Sequence, residues 1–251
     1  MKKEMLLLST LATGAGPFAR KHGFGLEITE YCTATNLELN RKSVDSVVNN
    51  KVWGVRQIAF HAPFNELFPC AIDPKARDLA RNRYAQAMAM ARSFLTKTLI
   101  CHSGYAPFFY YDNWFVEQST EFWREFVKKV PAGMVLCLEN VLETRPEPLL
   151  QLLEAVNDPK LRICLDVGHV NAYSKVPLMT WLETLVPWIH HFHLHNNNGE
   201  ADTHCDLNKG TIDMEQFLRQ AERLCPNATY TLELEDPRPS VQWLMDTGIL
   251  E

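Results

Sequence analysis

No stretch of this sequence approaches the roughly 18 uninterrupted apolar residues that a membrane helix needs, which argues against a spanning protein. The opening MKKEMLLLSTLATGAG sets two lysines before an apolar run, as a secretion signal does. Glu4 breaks its basic part, however, and Ser9, Thr10 and Thr13 dilute its apolar part, so a soluble protein is expected. Neither a GxGxxG nor a GxxxxGKS/T turn follows an early strand, which removes support for nucleotide cofactors of those kinds. The seven cysteines (Cys32, Cys70, Cys101, Cys137, Cys164, Cys205, Cys225) never form CxxC, are odd in number and sit partly in apolar runs. They fit a reduced, cytoplasmic setting. Basic residues are outnumbered, 25 against 30 acidic ones, and the net charge of -5 repels polyanions and disfavours duplex DNA as a partner. No linker rich in Pro, Gly or Ser divides the 251 residues, so one domain over 1–251 is expected.

Short runs rich in Val, Ile, Leu and Phe alternate with longer segments of helical spacing, the pattern of parallel βα units. The predicted strands are 5–9, 24–28, 56–61, 98–102, 134–139, 162–166, 189–195 and 229–233. Helical segments are predicted at 73–94, 113–130, 146–156, 178–185 and 213–224, the first opened by Asp73-Pro74 as cap and first-turn residue. Eight such strands in about 250 residues predict an α/β fold, a single parallel eight-stranded (β/α)8 TIM barrel. A doubly wound open sheet is the runner-up.

In such a barrel the C-terminal strand ends share one face. Here they end in or near Glu27, His61, His102, Glu139, Asp166 and Glu233, while the seventh strand carries His191, His193 and His195; His169, Asp202 and His204 follow shortly after strand ends. A single strand-end His or Glu is an ordinary polar surface group, but the same placement on six or seven strands is not. Burying so many charges without compensation would cost several kcal/mol per ion, which bound divalent cations offset. Mixed imidazole and carboxylate donors suit zinc, manganese or iron, and nine candidate ligands exceed the four to six that one ion takes, so two or three ions per chain are expected. Alternation along the strand leaves His193 and His195, and likewise Glu233 and Glu235, equally placed as ligands.

The motifs HAPF (61–64), CHSG (101–104), LEN (138–140), DVGH (166–169), HLHN (193–196), DTH (202–204) and LE (232–233) occur in an order and spacing that resembles the xylose isomerase-like barrel superfamily, which contains endonuclease IV and many sugar isomerases and epimerases. The resemblance to endonuclease IV implies one metal on His61, His102 and Glu139, a second on Glu139, Asp166, His193 and Glu233, and a third on His169, Asp202 and His204. It favours His193 and Glu233 over their neighbours two residues on. Phe64 stands where that enzyme's DNA-contacting tyrosine would be. The superfamily's sugar isomerases keep one metal, on the Glu139, Asp166, His193 and Glu233 positions, and often have arginine where this chain has His204.

The first expectation is therefore a metal-dependent phosphoesterase acting on a small or nucleotide-like substrate. The alternative is a divalent-metal-dependent sugar (phosphate) isomerase or epimerase in which Glu139 and Glu233 act as acid and base. A metal-bearing barrel that binds a ligand without turnover comes last. Under either enzyme reading Glu27, Phe64, Tyr105 and His195 are the expected substrate contacts, with Tyr105 opening an aromatic cluster after the fourth strand.

Overall fold

The computed structural model describes residues 1–251, in which eight parallel strands close into a barrel in chain order, β8 returning to β1. The strands are β1 (Leu6–Ser9), β2 (Gly25–Ile28), β3 (Ile58–His61), β4 (Thr98–His102), β5 (Val135–Glu139), β6 (Leu161–Asp166), β7 (Ile189–Leu194) and β8 (Thr229–Leu232). Around them lie α1 (Ala15–His22), α2 (Ala34–Glu38), α3 (Arg41–Val52), α4 (Pro74–Ser93), α5 (Asp112–Phe126), α6 (Glu147–Val156), α7 (Val167–Tyr173), α8 (Leu178–Leu185), α9 (Met214–Leu224) and α10 (Arg238–Asp246). No helix is long and apolar enough to cross a membrane.

Each predicted strand forms within two residues of its expected ends. The five predicted helices also form, with Asp73 capping α4 by accepting from the Lys75 amide. Helices α1, α2, α3, α7 and α10 escape the sequence pattern because they are short or show a narrow apolar stripe. In α3 only Val48 and Val52 are buried over twelve residues.

Period-two alternation builds two different surfaces on one barrel wall. Leu6, Leu8, Leu26, Phe60, Leu99, Leu136, Leu138, Ile163, Leu165, Phe192, Tyr230 and Leu232 face outward and join the helices in one large apolar core. Phe192 stacks on Tyr230 there, centroids 5.0 Å apart. Inside the barrel, Leu7, Ala59, Ile100, Cys137 and Cys164 form a small separate apolar layer. Above that layer the inward positions carry the charged and imidazole side chains. A one-residue slip of β2, β5 or β6 would drive Glu27, Glu139 or Asp166 into the helix layer, so the charged residues help fix the register. The pairing of β6 with β7 shifts once, from Ile163 opposite Ile189 to Cys164 opposite His191, and this irregularity sets His193 beside Asp166.

The inner wall is tight at Gly25, where an added Cβ would lie 2.8 Å from Leu7 Cγ and 2.9 Å from the Gln57 carbonyl oxygen. Gly25→Ala should therefore lower the unfolding free energy by about 1–3 kcal/mol through overpacking, measured by urea denaturation. An unchanged midpoint would mean that β2 can move away from β1 at little cost.

Candidate metal centre

Glu139, at the end of β5, is the hub of the C-terminal mouth. Its Oε2 lies 3.1 Å from His61 Nε2 and 3.5 Å from His102 Nε2, and its Oε1 lies 3.4 Å from both His193 Nδ1 and His169 Nδ1. His193 Nδ1 is also 3.5 Å from Glu233 Oε2 and 3.8 Å from Asp166 Oδ2. The other ring nitrogen of His193 sits 3.1 and 3.2 Å from the two oxygens of Glu27. An ionised carboxylate only accepts, so Nε2 carries the hydrogen and Nδ1 of the neutral ring offers a lone pair. That Nδ1 is buried and has no hydrogen-bond partner. Donor atoms each about 2.1 Å from one tetrahedral ion lie about 3.4 Å apart. The spacing and the N/O donor set fit a divalent cation held by Glu139, Asp166, His193 and Glu233.

Local structure aims these groups. Asp166 Oδ1 accepts from the His169 amide at 2.7 Å, capping α7 and setting His169 one turn into it. Asn140 locks β5 to β6, its amide donating to the Asp166 carbonyl at 3.0 Å and accepting from the Asp166 N–H at 2.9 Å. The loop after β7 folds back through a two-way backbone bridge between Asn196 and Cys205 and through Asn196 Nδ2 bonds to the Leu207 and Ile212 carbonyls. This brings Asp202 and His204 to the mouth, where Asp202 Oδ2 lies 3.3 Å from His169 Nε2 and 3.2 Å from His204 Nε2.

The charges are strongly coupled. Burial opposes ionisation of Glu139, yet the adjacent His102 and His193 hold its carboxyl well below the usual range. Glu233 moves the other way: burial pushes it up against the pull of His193, and the charges of Glu139, Asp166 and Glu27 add to the rise. Burial would lower His193, but Cys164, Glu233, Glu27 and Glu139 lift it well above an ordinary histidine. His204 is raised to about 9 because Asp202 and Glu233 outweigh its burial, whereas burial takes His102 down to about 3. Asp166, Asp202 and Glu139 likewise lift His169, so in the metal-free chain the carboxylates favour a proton on His193, His169 and His204. A cation competes with those protons, so its binding weakens as pH falls.

All nine residues expected as ligands meet in this mouth. Of the paired alternatives, His193 and Glu233 face the hub, while Glu235 is exposed. Phe64 stacks on His102 at 4.2 Å and walls that side of the mouth. The expectation that Glu27 contacts substrate does not fit its placement. It is fully buried beneath His193, and its oxygens also meet His191 Nε2 at 3.2 Å and the Thr231 hydroxyl at 2.6 Å. Barrel tilt puts Glu27 one layer below the other strand-end carboxylates, so it positions His193 instead. Tyr105 also departs from expectation: its hydroxyl donates to Asp112 at 2.9 Å and its ring packs edge-on against Phe115, so it braces α5. His195 is fully buried against Asp166, at 3.1 Å, below any open surface. Asn140, His191 and Thr231 went unassigned in the sequence, although Asn140 stands inside the LEN motif. A cavity of about 820 Å³ lies at the opposite mouth, lined by Arg20, Arg56, Lys97 and Thr229 among others and away from the His and carboxylate cluster.

The sequence profile of the xylose isomerase-like TIM barrel family matches residues 25–247, and the chain belongs to that family. The uncharacterized protein MJ1311 of Methanocaldococcus jannaschii is 26% identical over 209 residues, 74% of this chain and 67% of that protein. Among solved structures, the TTHB071 protein from Thermus thermophilus, soaked with ZnCl2, is similar at a TM-score of 0.79 and 25% identity over 97% of each chain. A D-tagatose 3-epimerase-like protein shares the fold, with a TM-score of 0.77 and 22% identity over 98% of this chain and 97% of its own.

Because Glu27 accepts from His193, His191 and Thr231 together, Glu27→Gln should turn an amide donor toward N–H and O–H donors in a dry layer. We expect a loss of about 1–3 kcal/mol in stability and a 10–100-fold weaker zinc affinity in competition with a chromophoric chelator. Wild-type values for both would return Glu27 to the list of substrate contacts.

Proposed function

We propose that the protein is a divalent-metal-dependent isomerase or epimerase acting on a ketose, a ketose phosphate or a related hydroxy-ketone. The observation that carries this reading is the pairing of Glu139 and Glu233 on one imidazole nitrogen, 3.4 and 3.5 Å from His193 Nδ1, with their acidities displaced in opposite directions. Two carboxyl groups held apart in this way divide into a base and an acid. Carbon-proton transfer beside a carbonyl needs such a pair. Family membership and the zinc-soaked relative support a metal-assisted barrel enzyme, and the epimerase-like neighbour lends its fold alone.

Glu139, Asp166, His193 and Glu233 would hold the cation, which when bound polarises a neighbouring carbonyl and hydroxyl pair. One carboxylate then takes the proton from the carbon beside the carbonyl, and the other returns a proton to the opposite face, inverting the centre. Return to the carbonyl carbon, with a hydroxyl proton moved to match, gives the isomer instead. Glu139 enters ionised, kept so by His102 and His193. Glu233, whose carboxyl is raised and whose side chain is 14% exposed, is the group that reaches solvent and can exchange its proton. Phe64, stacked over His102, keeps water from that edge.

Phosphoester hydrolysis, the first expectation from the sequence, becomes the second reading. The contacts of His61 and His102 with the far oxygen of Glu139 favour it, because they form a further donor group beside the hub. The two readings part in one experiment. Metal-free protein is reloaded with zinc or manganese and incubated in D2O with a panel of ketoses and, separately, with an aryl phosphodiester. We expect deuterium to enter a ketose at the carbon beside its carbonyl, followed by NMR, and Glu233→Gln to slow this by about a hundredfold or more. Phosphodiester cleavage without any carbon exchange would overturn the proposal in favour of the hydrolase.

A further inference from the structure

We infer that the cavity at the N-terminal mouth of the barrel is a binding site for a small organic phosphate, taken as its dianion. The site lies on the far side of the barrel from the candidate metal centre and does not depend on the chemistry proposed there.

The cavity, about 820 Å³ in volume, opens where the chain enters β3, β4 and β8, and Leu7 and Ala59 of the inner apolar plug form its floor. Barrel enzymes carry out their chemistry at the other mouth, so a cavity here serves binding and not catalysis. Its charged lining is Arg20, Arg56 and Lys97 against the single carboxylate of Glu4, a net charge of +2 in a chain whose total is -5. Cations elsewhere on the surface are neutralised locally: Arg83 pairs with Glu38, Arg145 with Asp112, Lys209 with Asp206 and Arg238 with Asp236. Arg56 and Lys97 are exposed and meet no carboxylate. A doubly charged anion supplies the compensation that the protein does not, and a phosphate monoester carries about two charges at neutral pH. A polyanion is excluded, because the whole molecule repels it and the space is that of a small-molecule site, roughly 300–1,000 Å³.

Two features of the wall go beyond charge. Arg20 is fixed before any ligand arrives: its Nη1 donates to the Lys51 and Trp53 carbonyls, each at 2.9 Å, which leaves the other nitrogens of the guanidinium fork for an oxyanion. Gly54 turns beside it at a φ of +76°, and a Cβ there would lie 3.3 Å from Arg20 Cδ, so the glycine gives the arginine stem its room. The second feature is Leu95, which follows α4. Its φ of +56° is the left-handed conformation that glycine or asparagine normally supplies at a helix end, yet leucine stands there with its side chain 87% exposed on the cavity rim. A strained, exposed apolar side chain two residues from Lys97 offers a contact to the apolar part of an amphipathic anion. Phe24 and Val55 continue that apolar surface inward. Thr98 adds a hydroxyl whose contact with His190 Nε2 is long, 3.5 Å, whereas the Thr229 hydroxyl is taken up by His191 Nδ1 at 2.6 Å. The lining thus matches a phosphate group carried on a small apolar or ring-shaped body.

The probe is phenyl phosphate, titrated calorimetrically into the full-length wild type and into Arg56→Gln, Lys97→Gln, the double variant and Glu139→Gln, with benzenesulfonate as a singly charged counterpart. Because the Arg56 and Lys97 side chains are exposed and unpaired, circular dichroism and Tm should be unchanged by their replacement. We expect each single substitution to weaken phenyl phosphate binding about threefold to tenfold and the double substitution about thirtyfold or more. Wild type should prefer the phosphate to the sulfonate by about tenfold, and Glu139→Gln should bind phenyl phosphate as wild type does. No binding at millimolar phenyl phosphate would overturn the inference, as would binding that the double substitution leaves unchanged or equal affinity for the sulfonate. Binding that survives in the double variant but disappears in Glu139→Gln would seat the phosphate at the metal centre, overturning this inference and not the reading of that centre.

Discussion

Five carboxylates, Glu27, Glu139, Asp166, Asp202 and Glu233, are gathered into the barrel mouth, and compensating them is the constraint on which the rest of the site depends. Isolated burial would cost several kcal/mol for each ion. The chain answers with imidazoles from β3, β4, β7, α7 and the loop after β7, so that each of the five lies within 4 Å of at least one histidine nitrogen. A cluster balanced by protons is also one balanced by cations, since both use the same imidazole lone pairs. Protonation and the proposed metal binding would thus be two states of one arrangement.

The barrel makes this concentration tolerable. Its outer wall and helices form a continuous apolar core, with Trp123, Trp181 and Phe60 among its largest buried side chains, and each fully buried side chain of this kind contributes about 1.5–3 kcal/mol. The polar layer lies above the small plug of Leu7, Ala59, Ile100, Cys137 and Cys164, which separates it from the opposite mouth. Stability is supplied mainly outside the strands and chemistry inside them, so residues such as Glu139 and Glu233 can be held in a costly environment without endangering the fold.

Much of this was legible in the sequence because strand period and strand end are both local signals. Runs such as TLICH and MVLCLE announce their own inward and outward faces, and the residue that ends each run is the one that reaches the mouth. Depth is not local. Glu27 and Glu139 look alike as strand-end carboxylates, yet barrel tilt sets Glu27 beneath His193 and Glu139 at the hub. Alternation likewise could not separate His193 from His195, since both point inward; their partners do, His193 standing between Glu27 and the Glu139 hub and His195 against Asp166. Tyr105 was read from its place in an aromatic cluster, whereas a contact with Asp112 seven residues on decides where its hydroxyl goes. Helices α1 and α10 were missed because eight or nine residues hold too few turns for a period to stand out, and α3 because only Val48 and Val52 mark its buried side.

The account stands on His193 turning one nitrogen to Glu27 and the other to a cation shared with Glu139, Asp166 and Glu233. Nitrogen-15 NMR of histidine-labelled protein, recorded metal-free and after zinc addition, tests it most directly. The predicted spectrum of the zinc form shows His193 neutral, with its proton on Nε2 and Nδ1 shifted by coordination. A His193 ring that stays doubly protonated, or that keeps its metal-free shifts when zinc is bound, would contradict the central claim.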